Sequence, residues 1–284
     1  MTDTGWFKTL AIGLITAWLT VFVAVPNLLV LGASFCARDE ARLLAPIFTL
    51  DNYLRFFNPV YFAVFARSMA LAMITTALCL LVGYPFAYSV ARGGWAHKNL
   101  LLLLVIIPFW TSSLVRTYAL MILLKANGLI NTALFDIGLI QAPLRMMYTD
   151  AAVVVGLTYS LLPFMILPVY ASLEKLDGRL LEAARDLGAG PVTVFWRITV
   201  PLTLPGMVAG IMLTFLPALG MFYIADILGG ARSLLVGNLI RNQFLTSRDW
   251  PLGSATSMAL TLIMAAMLLV YSRSAKALSR EADL

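Results

Sequence analysis

The chain has 284 residues, of which 61% are hydrophobic and 12% charged, against about a quarter charged in a soluble domain. With a mean hydropathy of +0.90, this excludes an ordinary soluble domain and points to a polytopic membrane protein. The net charge of +6 does not indicate nucleic acid, because no basic run is interleaved with aromatics and membrane proteins keep Lys and Arg in their loops.

In chain order, six apolar segments are long enough to span, at 9–35, 64–91, 99–124, 150–173, 203–225 and 253–273, since a bilayer core needs about 20 helical residues. The first is about twice the apolar core of a cleaved signal and contains Pro26, so it reads as a retained span. Helices are required because lipid offers no partner for free backbone groups. The leucine run at 100–104 excludes the alternating strands of a β-barrel. The connections are unequal. Loop 36–63 is long, loop 92–98 is a tight Gly93-Gly94 turn carrying His97, and loop 125–149 holds Asn127-Gly128 and an amphipathic stretch. Loop 174–202 is charged, and loop 226–252 holds Gly229-Gly230 and Arg248-Asp249-Trp250-Pro251. The reading is a single transmembrane domain over 1–284.

Orientation follows the distribution of Lys and Arg. The 20 cations of the chain divide equally between the two sides. The side holding both termini, loop 92–98 and loop 174–202 has the shorter loops, which weigh more. This favours cytoplasmic N- and C-termini. Cys36 and Cys79 are placed at different depths, which argues against a disulfide, and their spacing matches no metal site. Prolines within the spans include Pro26, Pro85, Pro108, Pro163, Pro168 and Pro217. Proline removes a helix hydrogen bond and kinks the axis. Pro108, Pro163, Pro168 and Pro217 are the candidate hinges, beside the plainer reading of proline-tolerant membrane helices.

Loop 174–202 is the longest charged interruption of the apolar chain. Asp177 suits a helix N-cap, the helix is expected over 178–187, and Gly188 suits its left-handed end. Gly190-Pro191 then restarts the chain. Leu180, Ala184 and Leu187 fall at i, i+4 and i+7 on one apolar face that Leu181 widens. So short a helix is marginal alone in water and needs a partner for that face. A lipid surface is one reading and calls for a cationic polar face. Glu182 and Asp186 beside Arg179 and Arg185 give mixed signs instead, which favours a groove in another protein.

The string Glu182-Ala183-Ala184, three residues, Gly188, nine residues, then Ile198-Thr199-Val200-Pro201 resembles the EAA motif of ABC importer permeases, departing only in Val200 for Leu. The resemblance extends through Gly83-Tyr84-Pro85-Phe86, Pro108-Phe109-Trp110-Thr111, Leu162-Pro163-Phe164-Met165 and Arg248-Asp249-Trp250-Pro251 to the spermidine/putrescine permeases of that family. It implies an all-α membrane protein of six transmembrane helices with the type I ABC importer permease (MetI-like) architecture, in the bacterial inner membrane. It further implies that Glu182, Ala183, Ala184, Arg185, Asp186 and Gly188 form a cytoplasmic coupling helix. The implied partners are an ATPase dimer that binds ATP and Mg, a second homologous permease subunit and a periplasmic polyamine-binding protein.

The residues themselves carry no enzyme chemistry. There is no phosphate loop of the Gly-x4-Gly-Lys type, and a single histidine leaves no triad. No cofactor or metal is expected in this chain. A path for a polycation calls for carboxylates and aromatic faces, which attract ammonium groups. Trp110, Thr111, Tyr159, Phe222, Tyr223 and Asp226 are the candidates. Asp226 ends the fifth span and is the most embedded acid, with pairing to Arg232 as its alternative role. Arg116, Lys125 and Arg145 would repel a polyamine if they faced the path. A permease of the same architecture for an opine, an anion or a metal chelate therefore stands as the alternative. A proton- or sodium-coupled transporter calls for acids near mid-bilayer and for inverted repeats, and neither is visible.

Overall fold

The computed structural model describes residues 4–39, 43–94, 97–230 and 233–282. Helix α1 (Thr4–Leu19) passes through a π turn (Thr20–Ala24) into α2 (Val25–Ser34). Pro26 has no N–H to donate and its ring crowds the carbonyl one turn back, and the wider π turn just before it relieves both. A short antiparallel pair follows, β1 (Cys36–Ala37) with β2 (Ala45–Phe48). Next come α3 (Asp51–Phe56), α4 (Pro59–Arg92) and α5 (Lys98–Ile106), which tightens into a 3₁₀ turn at Ile107–Trp110. The chain continues as α6 (Ser113–Leu124), α7 (Leu129–Asp136), α8 (Asp150–Lys175), α9 (Gly178–Asp186) and α10 (Pro191–Val194). A π turn at Phe195–Thr199 leads into α11 (Val200–Gly220). The short α12 (Phe222–Ile224), a π turn at Ala225–Gly229, α13 (Val236–Leu245) and α14 (Trp250–Ala282) complete the described chain.

By length and composition, six described segments can cross a membrane: Trp6–Ser34, Pro59–Arg92, Ser113–Asp136, Asp150–Lys175, Pro191–Gly220 and Trp250–Arg273. Two expectations are corrected. The third span was expected as one helix over 99–124, but it breaks after Trp110 and restarts at Ser113. Pro108 cannot donate to the helix ladder, and Thr111 Oγ1 donates to the Pro108 carbonyl at 2.7 Å, which closes the turn where it stops. The fifth span was expected at 203–225. It begins at Pro191, about three turns earlier and directly out of the coupling loop, and stops at Gly220.

Contacts divide the chain into two compact units: Met1–Phe62 with Leu239–Ala265, and Ala63–Asn238 with Ala266–Leu284. In the first, Asp249 is 2% exposed and receives Arg55 at 3.1 Å and Arg38 at 3.8 Å. Its carboxylate also accepts the Leu252 N–H at 3.2 Å, capping the first turn of α14. The Asn52 amide donates to the carbonyls of Ser34 and Cys36, which ties α3 to the end of α2.

In the second unit α8 is the central helix. Val153, Leu157, Leu161, Met165, Val169 and Leu173 recur every four residues and are all buried. Helix α11 packs along α8, and Gly206 permits the approach. A Cβ on Gly206 would lie 2.4 Å from the Ser172 Cβ and 2.6 Å from the Pro168 carbonyl oxygen. Small residues that let backbones touch are the usual means of helix association in lipid, where hydrophobicity supplies no drive. Pro163 and Pro168 lie inside α8 and Pro217 inside the last turn of α11.

Candidate functional site

The charged loop folds as a capped helix held at both ends. The Asp177 carboxylate accepts the Arg179 N–H at 3.0 Å, so α9 starts where a free donor finds an acceptor. At the other end Gly188 has a φ of +84°, a conformation that costs a side-chain-bearing residue about 1–2 kcal/mol. The Gly188 N–H donates to Arg185 O at 2.9 Å and the Ala189 N–H to Ala184 O at 3.0 Å. This is the paired closure that satisfies the last carbonyls of a helix. The glycine of the motif therefore ends the helix, and its two alanines keep it slim.

The apolar face differs from expectation. Leu181 is buried against the rest of the chain, whereas Leu180 is half exposed and Leu187 is 89% exposed. Glu182, Ala183, Arg185, Asp186 and Gly188 are exposed too, and Ala184 is half-buried. The helix thus seats itself with one leucine and presents two more, with mixed charges, outward.

Both flanks of α9 are anchored. Arg92, the last residue of α4, donates through Nη2 to the carbonyls of Leu173 at 3.1 Å and Leu176 at 2.7 Å. These are the end of α8 and the residue before the Asp177 cap. A cation at a helix C-terminus answers both the free carbonyls and the macrodipole. Lys98 bonds Glu174 at 3.0 Å on the exposed side of the same turn, and that carboxylate holds the Lys98 ammonium above its ordinary range. Beyond α9, Phe195 sets its ring edge-on to Tyr84 and Tyr88 of α4 at 5.8 and 5.4 Å. The Tyr84 hydroxyl meets Thr203 Oγ1 at 3.0 Å. The segment from Ile198 to Pro201 is therefore the point where the loop re-enters α11, and its π turn gives Pro201 room.

A second group of residues gathers where two helices break. The break between α5 and α6 and the break at Met221 are linked by Ser113 Oγ and the Tyr223 hydroxyl. Phe222 packs edge-on to Tyr223 at 6.2 Å. The Asn238 amide bridges from the Phe222 carbonyl, at 3.0 Å, to the Asp226 carboxylate. Asp226 is thus oriented by Asn238, and Arg232 lies outside the described residues. Tyr159 stands on α8, 42% exposed, under the Arg116 guanidinium at 5.9 Å from its ring centre. The same guanidinium lies 5.5 Å from Phe109. Trp110 and Thr111 lie in the break itself, and Trp110 is 77% exposed. Among the described residues Trp110 makes no ring contact with Tyr159 or Tyr223. Pro108 sits in the 3₁₀ turn beside them.

Three contributors escaped the sequence reading. Arg92 looked like any loop cation, Asn238 like an ordinary polar residue, and Ser113 like part of a continuous span. Only the positive charge of Arg116 within an apolar segment could have drawn attention to its neighbours.

Residues 80–283 match the protein family described as "Binding-protein-dependent transport system inner membrane component". The chain is 50% identical over 281 residues to the spermidine/putrescine transport system permease protein PotB of Salmonella typhimurium (strain SL1344), covering 99% of this chain and 98% of that one. It is 51% identical over 270 residues to PotB of Escherichia coli (strain K12), covering 95% and 98%. At 31% identity over 209 residues, 74% of this chain and 77% of the relative, it resembles the molybdenum transport system permease protein ModB of Mycobacterium bovis. Among solved structures, a bacterial ABC transporter involved in the import of the acidic polysaccharide alginate has a chain of the same fold. It matches with a TM-score of 0.74 at 16% identity over 95% of both chains. An inward-facing MetNI methionine ABC transporter matches with a TM-score of 0.56 at 17% identity, over 75% of this chain and 93% of that one.

Proposed function

This chain belongs to the family of binding-protein-dependent transport system inner membrane components, and from that premise we propose that it is the permease subunit of an ATP-driven polyamine importer. The family is a transport component and not an enzyme, so its work is conformational. ATP binding to a partner must bias the permease between outward and inward states through contacts that differ between them. The observation that carries this reading is the geometry of α9. It is a helix closed at both ends and anchored to α8 and α4, with Leu180, Leu187, Glu182 and Arg185 exposed. A nine-residue helix of that kind suits a cleft in an ATPase subunit, and ATP with Mg would be held there. The half identity to PotB over almost the whole chain supports spermidine and putrescine as cargo.

The partners of the reading are an ATPase dimer, a second homologous permease and a periplasmic polyamine-binding protein. Its placement is multi-pass in the bacterial inner membrane with both termini cytoplasmic. A reporter active only outside the cytoplasm, fused after Leu284, is expected to be silent, and an active one overturns that orientation. The path is assigned to Trp110, Thr111, Tyr159, Phe222, Tyr223 and Asp226, with Pro108, Pro163, Pro168 and Pro217 as hinges. Cargo is tested by uptake of labelled spermidine and putrescine into cells deleted for their own polyamine importers and supplied with this system. Saturable, ATP-dependent uptake is expected. Uptake of molybdate or another solute in its place favours the alternative permease reading, which the ModB likeness and Arg116 support.

A further inference from the structure

Arg116 is a cation in the first turn of α6, immediately after a helix break in an apolar segment. A guanidinium there is costly unless protein or a water-filled path receives it. Among the described residues no carboxylate pairs with it, and its buried Nε makes no hydrogen bond. What receives it is aromatic: Phe109 at 5.5 Å and Tyr159 at 5.9 Å. The two rings come from different elements, the 3₁₀ turn after α5 and helix α8. Phe109 is itself fixed edge-on by Phe164 at 5.2 Å. The seat is therefore built by tertiary structure. It is also open, since Phe109 and Tyr159 remain 43% and 42% exposed.

We propose that Arg116 is a tethered surrogate cation that occupies an aromatic seat in the translocation path, and that a substrate ammonium must displace it. This rests on the polyamine reading above. A primary ammonium and a guanidinium are alternative occupants of the same ring faces, because both are drawn by the same negative quadrupole. Exchange of one for the other leaves the rings satisfied throughout. The resident charge also repels an approaching cation. A monoamine has only one charge with which to oppose it, whereas a polyamine can anchor a second ammonium on another ring face or carboxylate of the path. Arg116 thus makes the seat selective for substrates with more than one positive charge.

The test is equilibrium binding of labelled spermidine and labelled butylamine to the purified membrane complex of this chain with its partner subunits. Arg116→Gln and Arg116→Met remove the resident charge and provide two independent folding outcomes. Either is expected to tighten spermidine by about tenfold, the scale of two displaced cation–π contacts, and to tighten butylamine by more. Arg116→Lys restores a resident cation and is expected to stay within about twofold of wild type on the same scale. Tyr159→Leu removes one face of the seat and is expected to weaken spermidine severalfold. Unchanged or weaker binding in the neutral Arg116 variants overturns the inference, as does unchanged binding in Tyr159→Leu. A wild-type complex that moves another solute but neither binds nor moves spermidine overturns the polyamine reading itself.

Discussion

Replacing Arg92 with Ala removes the clamp between α4 and the joint that leads into α9. The guanidinium makes two charge-assisted bonds, at 3.1 Å to Leu173 O and 2.7 Å to Leu176 O. Each such bond is worth about 1.5–3 kcal/mol, and the helix-end charge adds about 0.3–1 kcal/mol. Arg92 is only half-buried, so water recovers part of the loss and about 2–4 kcal/mol remains. The loss falls on the Leu176 carbonyl, one residue before the Asp177 cap. Helix α9 should keep its own turns yet lose its fixed angle to α8. The assay is ATP hydrolysed per spermidine imported by the reconstituted complex, together with thermal unfolding in detergent. Arg92→Ala is expected to raise the ATP cost per spermidine and to lower the unfolding midpoint, and Arg92→Lys to do so by less. An Arg92→Ala complex with wild-type stoichiometry and midpoint refutes the clamp.

The other expectations concern separate parts of the chain. Gly206→Val drives a side chain into Ser172 and the Pro168 carbonyl, so it should cost about 1–3 kcal/mol by overpacking and reduce the yield of folded protein in detergent. Wild-type yield and melting would show that α8 and α11 are not in close contact. Asp249→Ala strips Arg38 and Arg55 of their shared partner and removes the α14 cap. A loss of about 1–3 kcal/mol is expected, discounted for the half-exposed arginines, and Asp249→Asn should recover the capping part; hydrogen exchange of the Leu252, Gly253 and Ser254 amides measures both. Asp226→Asn is expected to reduce spermidine uptake at least severalfold while the complex still assembles. Undiminished uptake removes Asp226 from the path.

The sequence made some features plain because their causes are local. The start and end of α9 follow from Asp177 and Gly188, a cap and a left-handed end that need no tertiary information. The apolar segments follow from composition alone. The choice between Leu180 and Leu181 was not local. Both fit an amphipathic face, and only the packing of α9 decides that Leu181 turns inward while Leu180 and Leu187 stay outside. The break between α5 and α6 was hidden for a similar reason. Pro108 is tolerated in membrane helices when neighbours accommodate it, so its presence did not dictate a stop. The partnership of Asn238 with Asp226 and the seating of Arg116 over two rings depend on elements far apart in sequence, which periodicity does not reach.

The central claim is that α9 transmits ATP-driven change from a separate subunit. It is tested most directly by affinity purification of the tagged chain with its co-expressed ATPase, comparing wild type with Glu182→Lys. Wild type is expected to retain the ATPase through size exclusion. Glu182→Lys, which reverses an exposed charge without touching Leu181, is expected to lose most of it while keeping the second permease. Equal retention of the ATPase by both proteins contradicts the claim.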